Sequence, residues 1–174
     1  EATLHTDRVL VYGFSFHFHP GALRTKEIID SGKLGEILYA HFHVGTYGTL
    51  MKSQSRHQAD VEAALLMDYV HQPDFPYWIL GKNPTGVYAA GSLGGNKELK
   101  SNPNSITLLM DYDGPLTASI HLNYLQHPDR YHYEFVGDQG WIFYDLNSGI
   151  LHLGDGRSGT VSQENIHFEP NSIY

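Results

Sequence analysis

From Asn104 onward, apolar and polar residues alternate in short runs, and turn residues separate the runs. Such a pattern admits little besides antiparallel sheet. Ser105–Tyr112 and Leu116–Leu125 alternate on either side of Asp113-Gly114, a strong hairpin signal. Tyr131–Val136 and Trp141–Leu146 follow, joined by Gly137-Asp-Gln-Gly140. Asn147-Ser-Gly149 turns the chain into Ile150–Leu153, and Val161–Phe168 reads as one more strand. Gly86–Ser92 is a strand ahead of this series.

The first half mixes periods. Arg8–Phe18 reads as a strand, with Phe14, Phe16 and Phe18 on one face and Ser15, His17 and His19 on the other. Pro20 suits a first helical turn, and Ala22, Leu23, Ile28 and Ile29 form an approximate helical stripe that ends at Ser31-Gly32. Glu36–Thr46 is the next strand; Leu38, Ala40, Phe42 and Val44 share one face, and Ile37, Tyr39, His41 and His43 the other. Gly48–Asp60 reads as a polar loop, and Val61–Val70 as helix. A proline inside a helix costs about 3 kcal/mol. Pro73 and Pro76 therefore either break this helix after His71 or start a second short one, which stops at Gly81.

This order of elements predicts an α+β fold: an open, mostly antiparallel sheet with helices on one face and the other face free. Ser15, His17 and His19 would lie on the free face with Tyr39, His41, His43, Ser119 and His121. A face so rich in tyrosine and histidine suits a partner or ligand better than plain solvent.

Composition narrows the function classes. The 174 residues fit one domain, 1–174, with a net charge of −8 and no basic cluster, which argues against nucleic acid as a partner. Without cysteine there are no disulfides, thiolate metal sites or thiol nucleophiles. No apolar run is long enough to span a bilayer and no signal peptide is visible, so no membrane partner and a cytoplasmic location are expected. The chain begins at Glu1 and not at Met, which is expected of a fragment or a processed product. The 12 histidines outnumber the 11 lysines and arginines, so charge can change around mildly acidic pH. His17/His19 and His41/His43 carry a donor that zinc accepts, yet no tight ligand motif such as His-Glu-x-x-His occurs. Interface or solvated histidines are the expectation, with no metal.

Asp68 and His71 are three residues apart, which on one helix would put both on the same face within reach of an orienting hydrogen bond. On spacing alone, a helix-surface pair at the edge of a break is the better reading. Tyr124, Tyr131 and Tyr133 are expected to pack across strands, Trp78 and Trp141 to lie in the core, and Asp74 to cap a helix or face solvent.

Three segments carry a resemblance. Gly13-Phe-Ser-Phe-His-Phe-His-Pro20, Ile28-Ile-Asp-Ser-Gly-Lys-Leu-Gly-Glu-Ile37 and Leu65-Leu-Met-Asp-Tyr-Val-His-Gln-Pro-Asp-Phe-Pro-Tyr-Trp-Ile-Leu-Gly81 resemble, in this order, the C-terminal half of the glucose–fructose oxidoreductase/inositol dehydrogenase family. The likeness runs from about Val9 to Leu153. It implies a substrate-binding and oligomerisation domain, taken from enzymes that oxidise sugars or cyclitols with NAD or NADP held on a separate N-terminal domain. Asp68 and His71 stand at the positions of the family's active-site carboxylate and imidazole. The imidazole would take a hydroxyl proton as hydride leaves the same carbon. His17, His43 and Tyr124 become candidates for substrate contacts, and a homo-oligomer through the open sheet face is implied, with a sugar-like small molecule as ligand.

The chain also departs from the family. The dinucleotide cradle, Gly-x-Gly-x-x-Gly between a strand and the helix it opens, is read as missing, as is the Glu-Lys-Pro motif that supplies a lysine. His17 replaces an arginine, Ala59-Asp-Val-Glu-Ala-Ala64 replaces a glycine-rich run, and Pro73 and Pro76 sit where the family helix continues. The N-terminal dinucleotide-binding domain is thus expected to be absent, with no cofactor held by this chain and no catalysis by it alone. An independent, non-enzymatic module that self-associates or binds a small ligand is the alternative.

Overall fold

The computed structural model describes residues 9, 13–52 and 64–168; the loop expected over 53–60, the helix start at 61–63 and most of the first expected strand lie outside them. A 3-10 turn at Ser15–Phe18 leads into α1 (Pro20–Asp30), β1 (Ile37–Gly45), α2 (Gly48–Lys52), α3 (Ala64–Asp68) and α4 (His71–Leu80). Seven strands follow: β2 (Gly86–Ser92), β3 (Ser105–Asp111), β4 (Thr117–Asn123), β5 (Arg130–Gly137), β6 (Gly140–Asp145), β7 (Ile150–Asp155) and β8 (Val161–Asn165). They form one eight-stranded sheet in the order β2-β3-β4-β1-β5-β6-β7-β8. Only the β1–β4 pairing is parallel. The fold is therefore the α+β arrangement with an open, mostly antiparallel sheet that the sequence predicts.

Four local expectations need correction. Over 13–18 the chain is wound and not extended: Phe14 is left-handed (φ 37°, ψ 55°), and the His17 and His19 N–H groups bond back to the Phe14 and Phe16 carbonyls. Phe16 is buried while Phe18 is exposed, so the three phenylalanines do not share a face. Within 48–60, the stretch Gly48–Lys52 is helical. The stripe of α1 is Ala22, Thr25 and Ile28, whereas Leu23 faces solvent. Ile37 packs on the core and not beside Tyr39, because the register shifts between these two residues.

Capping fixes the start of α1. The His19 side chain accepts a hydrogen bond from the Gly21 N–H (3.1 Å), and Pro20 occupies the first turn, where its missing donor costs nothing. Arg24 on this helix reaches Glu164 on β8 with two N–H groups, at 2.7 and 2.8 Å. The prolines select the second option offered by the sequence. A new helix starts at His71, and Pro73 falls in its first turn, where no intrahelical donor is needed. Pro76 lies deeper and forfeits one bond, and the helix ends at left-handed Gly81, whose N–H bonds to the Tyr77 carbonyl.

The core lies between the helices and one sheet face. Ala40, Phe42 and Val44 of β1 meet Ala118, Ile120 and Leu122 of β4, with Tyr133 and Phe135 of β5 on the other flank. Phe75 of α4 fills the centre, its ring 4.7 Å from Phe16, 5.1 Å from Tyr133 and 5.6 Å from Phe42. Burying such a side chain contributes about 1.5–3 kcal/mol. The opposite face carries rows set by strand register: Tyr88, Leu109, Ser119, His41, Glu134, Phe143 and His152 form one, and Thr107, His121, His43 and His132 lie in the next. Trp141 belongs to this face and not to the core, its indole pressed over Gly154, where an added Cβ would come within 2.2 Å of the ring. No helix among the described residues is long and apolar enough to cross a membrane.

Candidate functional site

Asp68 closes α3 and His71 opens α4, with Tyr69 and Val70 turning between them. The two residues are not on one helix, and among the described residues they share no hydrogen bond. Asp68 Oδ2 accepts from the Tyr124 hydroxyl, just beyond β4. Burial first, then this carboxylate, pushes the Tyr124 phenol well above its ordinary value. The buried Nδ1 of His71 has no partner among the described residues. Burial lowers the pKa of His71, and Asp74 partly offsets the effect, so its imidazole is neutral at pH 7.

The 3-10 turn delivers a second imidazole beside the first. His17 Nε2 lies 2.5 Å from Asp74 Oδ2, and its ring stacks on Trp78 (4.6 Å between centroids, 9° between planes). Phe14 stacks on the other neighbour, His17, at 5.7 Å and meets His71 edge-on at 6.1 Å. Phe14 is the one non-glycine residue with positive φ among those described. Strained backbone of this kind clusters where side chains must be aimed, and here it holds the ring that bridges the two histidines. Tyr69 hydrogen-bonds Thr49 at 2.8 Å, and its phenol is pushed up to about 12, mainly by burial. Gln72 donates to the Tyr131 hydroxyl, which ties α4 to β5.

The α3–α4 region and the 3-10 turn thus present two carboxylates and two imidazoles, of which only Asp74 and His17 pair with each other. Asp74 orients His17 as an acid–base dyad, and His71 offers an unclaimed ring nitrogen. Of the residues singled out by sequence, Asp68 and Tyr124 come together directly, and His17 and His71 through Phe14. His17 is not on the open face. His43 is, on the far side of the sheet, where its Nε2 bonds Gln126 Oε1 at 2.5 Å. Tyr124 is fully buried and held by Asp68, so it supports the site and does not offer a stacking surface. Tyr133 packs across strands as expected, against Phe42 of β1, whereas Tyr131 stacks on Phe16 of the 3-10 turn. The sequence reading missed Asp74 and Trp78 as site residues. Trp78 packs on the core and also on His17. Their i, i+4 spacing on α4 was the available signal, once the helix start is set at His71.

A family profile described as the GFO/IDH/MocA C-terminal domain matches residues 22–143. The chain belongs to the Gfo/Idh/MocA family. No curated protein matches the sequence. Among solved structures, an oxidoreductase from Agrobacterium radiobacter in complex with NAD+, L-tartaric acid and magnesium superposes with a TM-score of 0.74 at 21% identity, covering 91% of this chain and 46% of that one. An inositol dehydrogenase homologue from Azotobacter vinelandii with NADH and myo-inositol gives 0.72 at 13% identity, covering 87% and 41%. A UDP-N-acetylglucosamine 3-dehydrogenase from Acidithiobacillus ferrooxidans gives 0.68 at 17% identity, covering 92% and 48%. At these identities the likeness shows the fold, and the chain spans less than half the length of each of these three relatives.

One correction concerns the dinucleotide motif. The spacing Gly-x-Gly-x-x-Gly does occur, at Gly154-Asp-Gly156-Arg-Ser-Gly159, directly after the β7 apolar run. It builds no cradle there. The glycines turn β7 into antiparallel β8 and not into a helix, Asp155 Oδ1 accepts from the Arg157 and Ser158 N–H groups, and the Gly156 N–H bonds the Gln139 carbonyl, so these donors are engaged. These residues do not fit a pyrophosphate.

Proposed function

We propose that this chain is the substrate-side and self-associating domain of an NAD(P)-dependent sugar or cyclitol oxidoreductase. The observation that carries the reading is the division of labour between the two sheet faces. The helix-covered face gathers His17, Asp74, His71 and Asp68 at one junction, while the opposite face leaves tyrosine, histidine and leucine rows uncovered. A polyhydroxylated ring suits the first: stacked His17 and Trp78 supply an aromatic wall, and Asp74 and His71 supply an acceptor and a ring nitrogen for hydroxyls. In the full enzyme the cofactor would accept hydride. This chain's residues hold the substrate and take the hydroxyl proton, a role that His17 fits through its carboxylate partner and His71 through its neutral ring. Self-association belongs to the second face, where Tyr88 (63% exposed) and Leu109 (46% exposed) lie side by side.

The test is a titration of the purified chain with myo-inositol, followed by histidine ring NMR. Shifts confined to His17 and His71, and lost in Asp74→Asn, are expected. Saturable binding that moves only His43, or none of the three, would refute the placement.

A further inference from the structure

Four histidines from three strands meet at the middle of the open face. The parallel pairing of β1 with β4 sets His43 opposite His121, and the antiparallel pairing with β5 sets it opposite His132. His41 lies two residues along β1, on the same face. The His43 ring stacks on His132 at 4.9 Å and on His121 at 5.2 Å, and His41 is 5.9 Å from His132. One ring nitrogen from each of His41, His43 and His132 lies within 4.8 Å of the other two.

We propose that His41, His43 and His132 form a site for one divalent transition-metal ion, zinc by donor type, on the open face of the sheet. Imidazole is a donor that zinc, cobalt and nickel accept readily, whereas magnesium and calcium prefer oxygen.

Two of the three rings, His43 and His41, have an outer partner on one nitrogen, as metal-binding histidines do. A ligating imidazole usually donates its other N–H to an outer acceptor, which fixes the tautomer and frees the remaining lone pair. Gln126 Oε1 is an acceptor only, so His43 Nε2 is the donor, and in the neutral ring Nδ1 is the nitrogen with the lone pair. That same amide oxygen also accepts from Asn123 Nδ2 at 3.0 Å, which holds the amide in orientation. Ser119 Oγ lies 2.9 Å from His41 Nδ1 and leaves Nε2 of His41 unengaged by that contact. His132 Nδ1 is buried without a hydrogen-bond partner among the described residues. A metal would satisfy it. Burial and the neighbouring imidazoles also keep His41 and His132 neutral, the latter with a pKa lowered to about 4, and neutral imidazole is the ligating form.

The geometry requires a small movement. A tetrahedral zinc with Zn–N of about 2.0–2.1 Å places its nitrogens roughly 3.3 Å apart. The present spread closes by side-chain rotation on a rigid sheet. Because His43 and His132 are now parallel within 9°, one of them must turn edge-on to share an ion, so binding ends that stack. The site is independent of the polyol reading, since it lies across the sheet from α4.

The test uses untagged protein, stripped with chelator and dialysed, then titrated calorimetrically with zinc chloride. One ion per chain is expected, with a dissociation constant of roughly micromolar or tighter. Cobalt substitution should give the visible ligand-field absorption of a low-coordinate ion. His132→Gln and His43→Gln are each expected to weaken binding at least tenfold, Gln126→Ala by about tenfold, and His127→Gln, at an exposed residue outside the cluster, not at all. Should the β-strand variants fail to fold, histidine ring NMR of the wild-type chain decides: zinc must move His41, His43 and His132. Absence of stoichiometric binding, half an ion per chain, or shifts confined to His17 and His71 would overturn the proposal.

Discussion

His19 links the stability of the start of α1 to pH. Its side chain accepts the Gly21 N–H, and the residue is 5% exposed between Phe16, Tyr144 and Phe168. Burial lowers its pKa from 6.5 to about 4. The folded state therefore keeps the ring neutral where the unfolded chain already binds a proton. Stability is full above about pH 7, falls as pH drops through 6.5, and levels off below about 4. At about 1.4 kcal/mol per unit of displacement the limit is about 3 kcal/mol. Residual solvent access to the ring reduces this to roughly 2 kcal/mol. His19→Asn keeps an N-cap acceptor that cannot titrate. Urea unfolding of both proteins, followed by circular dichroism from pH 4.5 to 7.5, reads the difference in slope and not the intercept, since the smaller side chain also leaves a gap. The wild type should lose roughly 1.5 kcal/mol more than the variant over that range. Parallel stability curves would refute the reasoning. His132, also lowered to about 4, contributes in the same direction to both proteins and cancels in the comparison.

Tyr124→Phe leaves the half-buried Asp68 carboxylate without its hydroxyl donor and should cost about 1–3 kcal/mol in urea unfolding; a loss under about 0.5 kcal/mol would show that the bond contributes little. Gly21→Ala would ordinarily help a helix by up to about 1 kcal/mol. Here a Cβ would sit 2.4 Å from the Tyr144 ring, so a net loss of about 1–3 kcal/mol is expected from the same melts, and a stabilised variant would contradict the packing.

Where side-chain alternation met a two-faced environment, the fold was legible. β1 and β3 to β7 sit within a few residues of their expected limits, because buried and open positions alternate along them. The same rule failed at 13–18. Phe-Ser-Phe-His-Phe-His has a period of two, but left-handed Phe14 winds the backbone, and no sequence signal announces a positive φ at phenylalanine. The candidate site was half legible. Asp68 and His71 stand at the expected junction, yet the break between them, decided by Pro73 at the start of α4, sends Asp68 to Tyr124 and not to His71. His17 was visible as a departure from the family, whereas its pairing with Asp74 depends on the turn folding onto α4, 57 residues along the chain. The cluster around His43 was beyond reach, because His132 is brought to it by a strand order that places β5 beside β1.

The claim on which the account turns is that the sheet's uncovered face is built to meet another copy of the chain. Sedimentation velocity across a concentration series tests it most directly, with Leu109→Glu as the comparison. Leu109 is 46% exposed in the single chain, so a charge there costs little folding stability but would be buried against a partner. A wild-type species of at least twice the chain mass is expected, which the substitution converts to single chains. A wild type that remains a single chain at the highest attainable concentration, or assembles equally well with glutamate at 109, would contradict it.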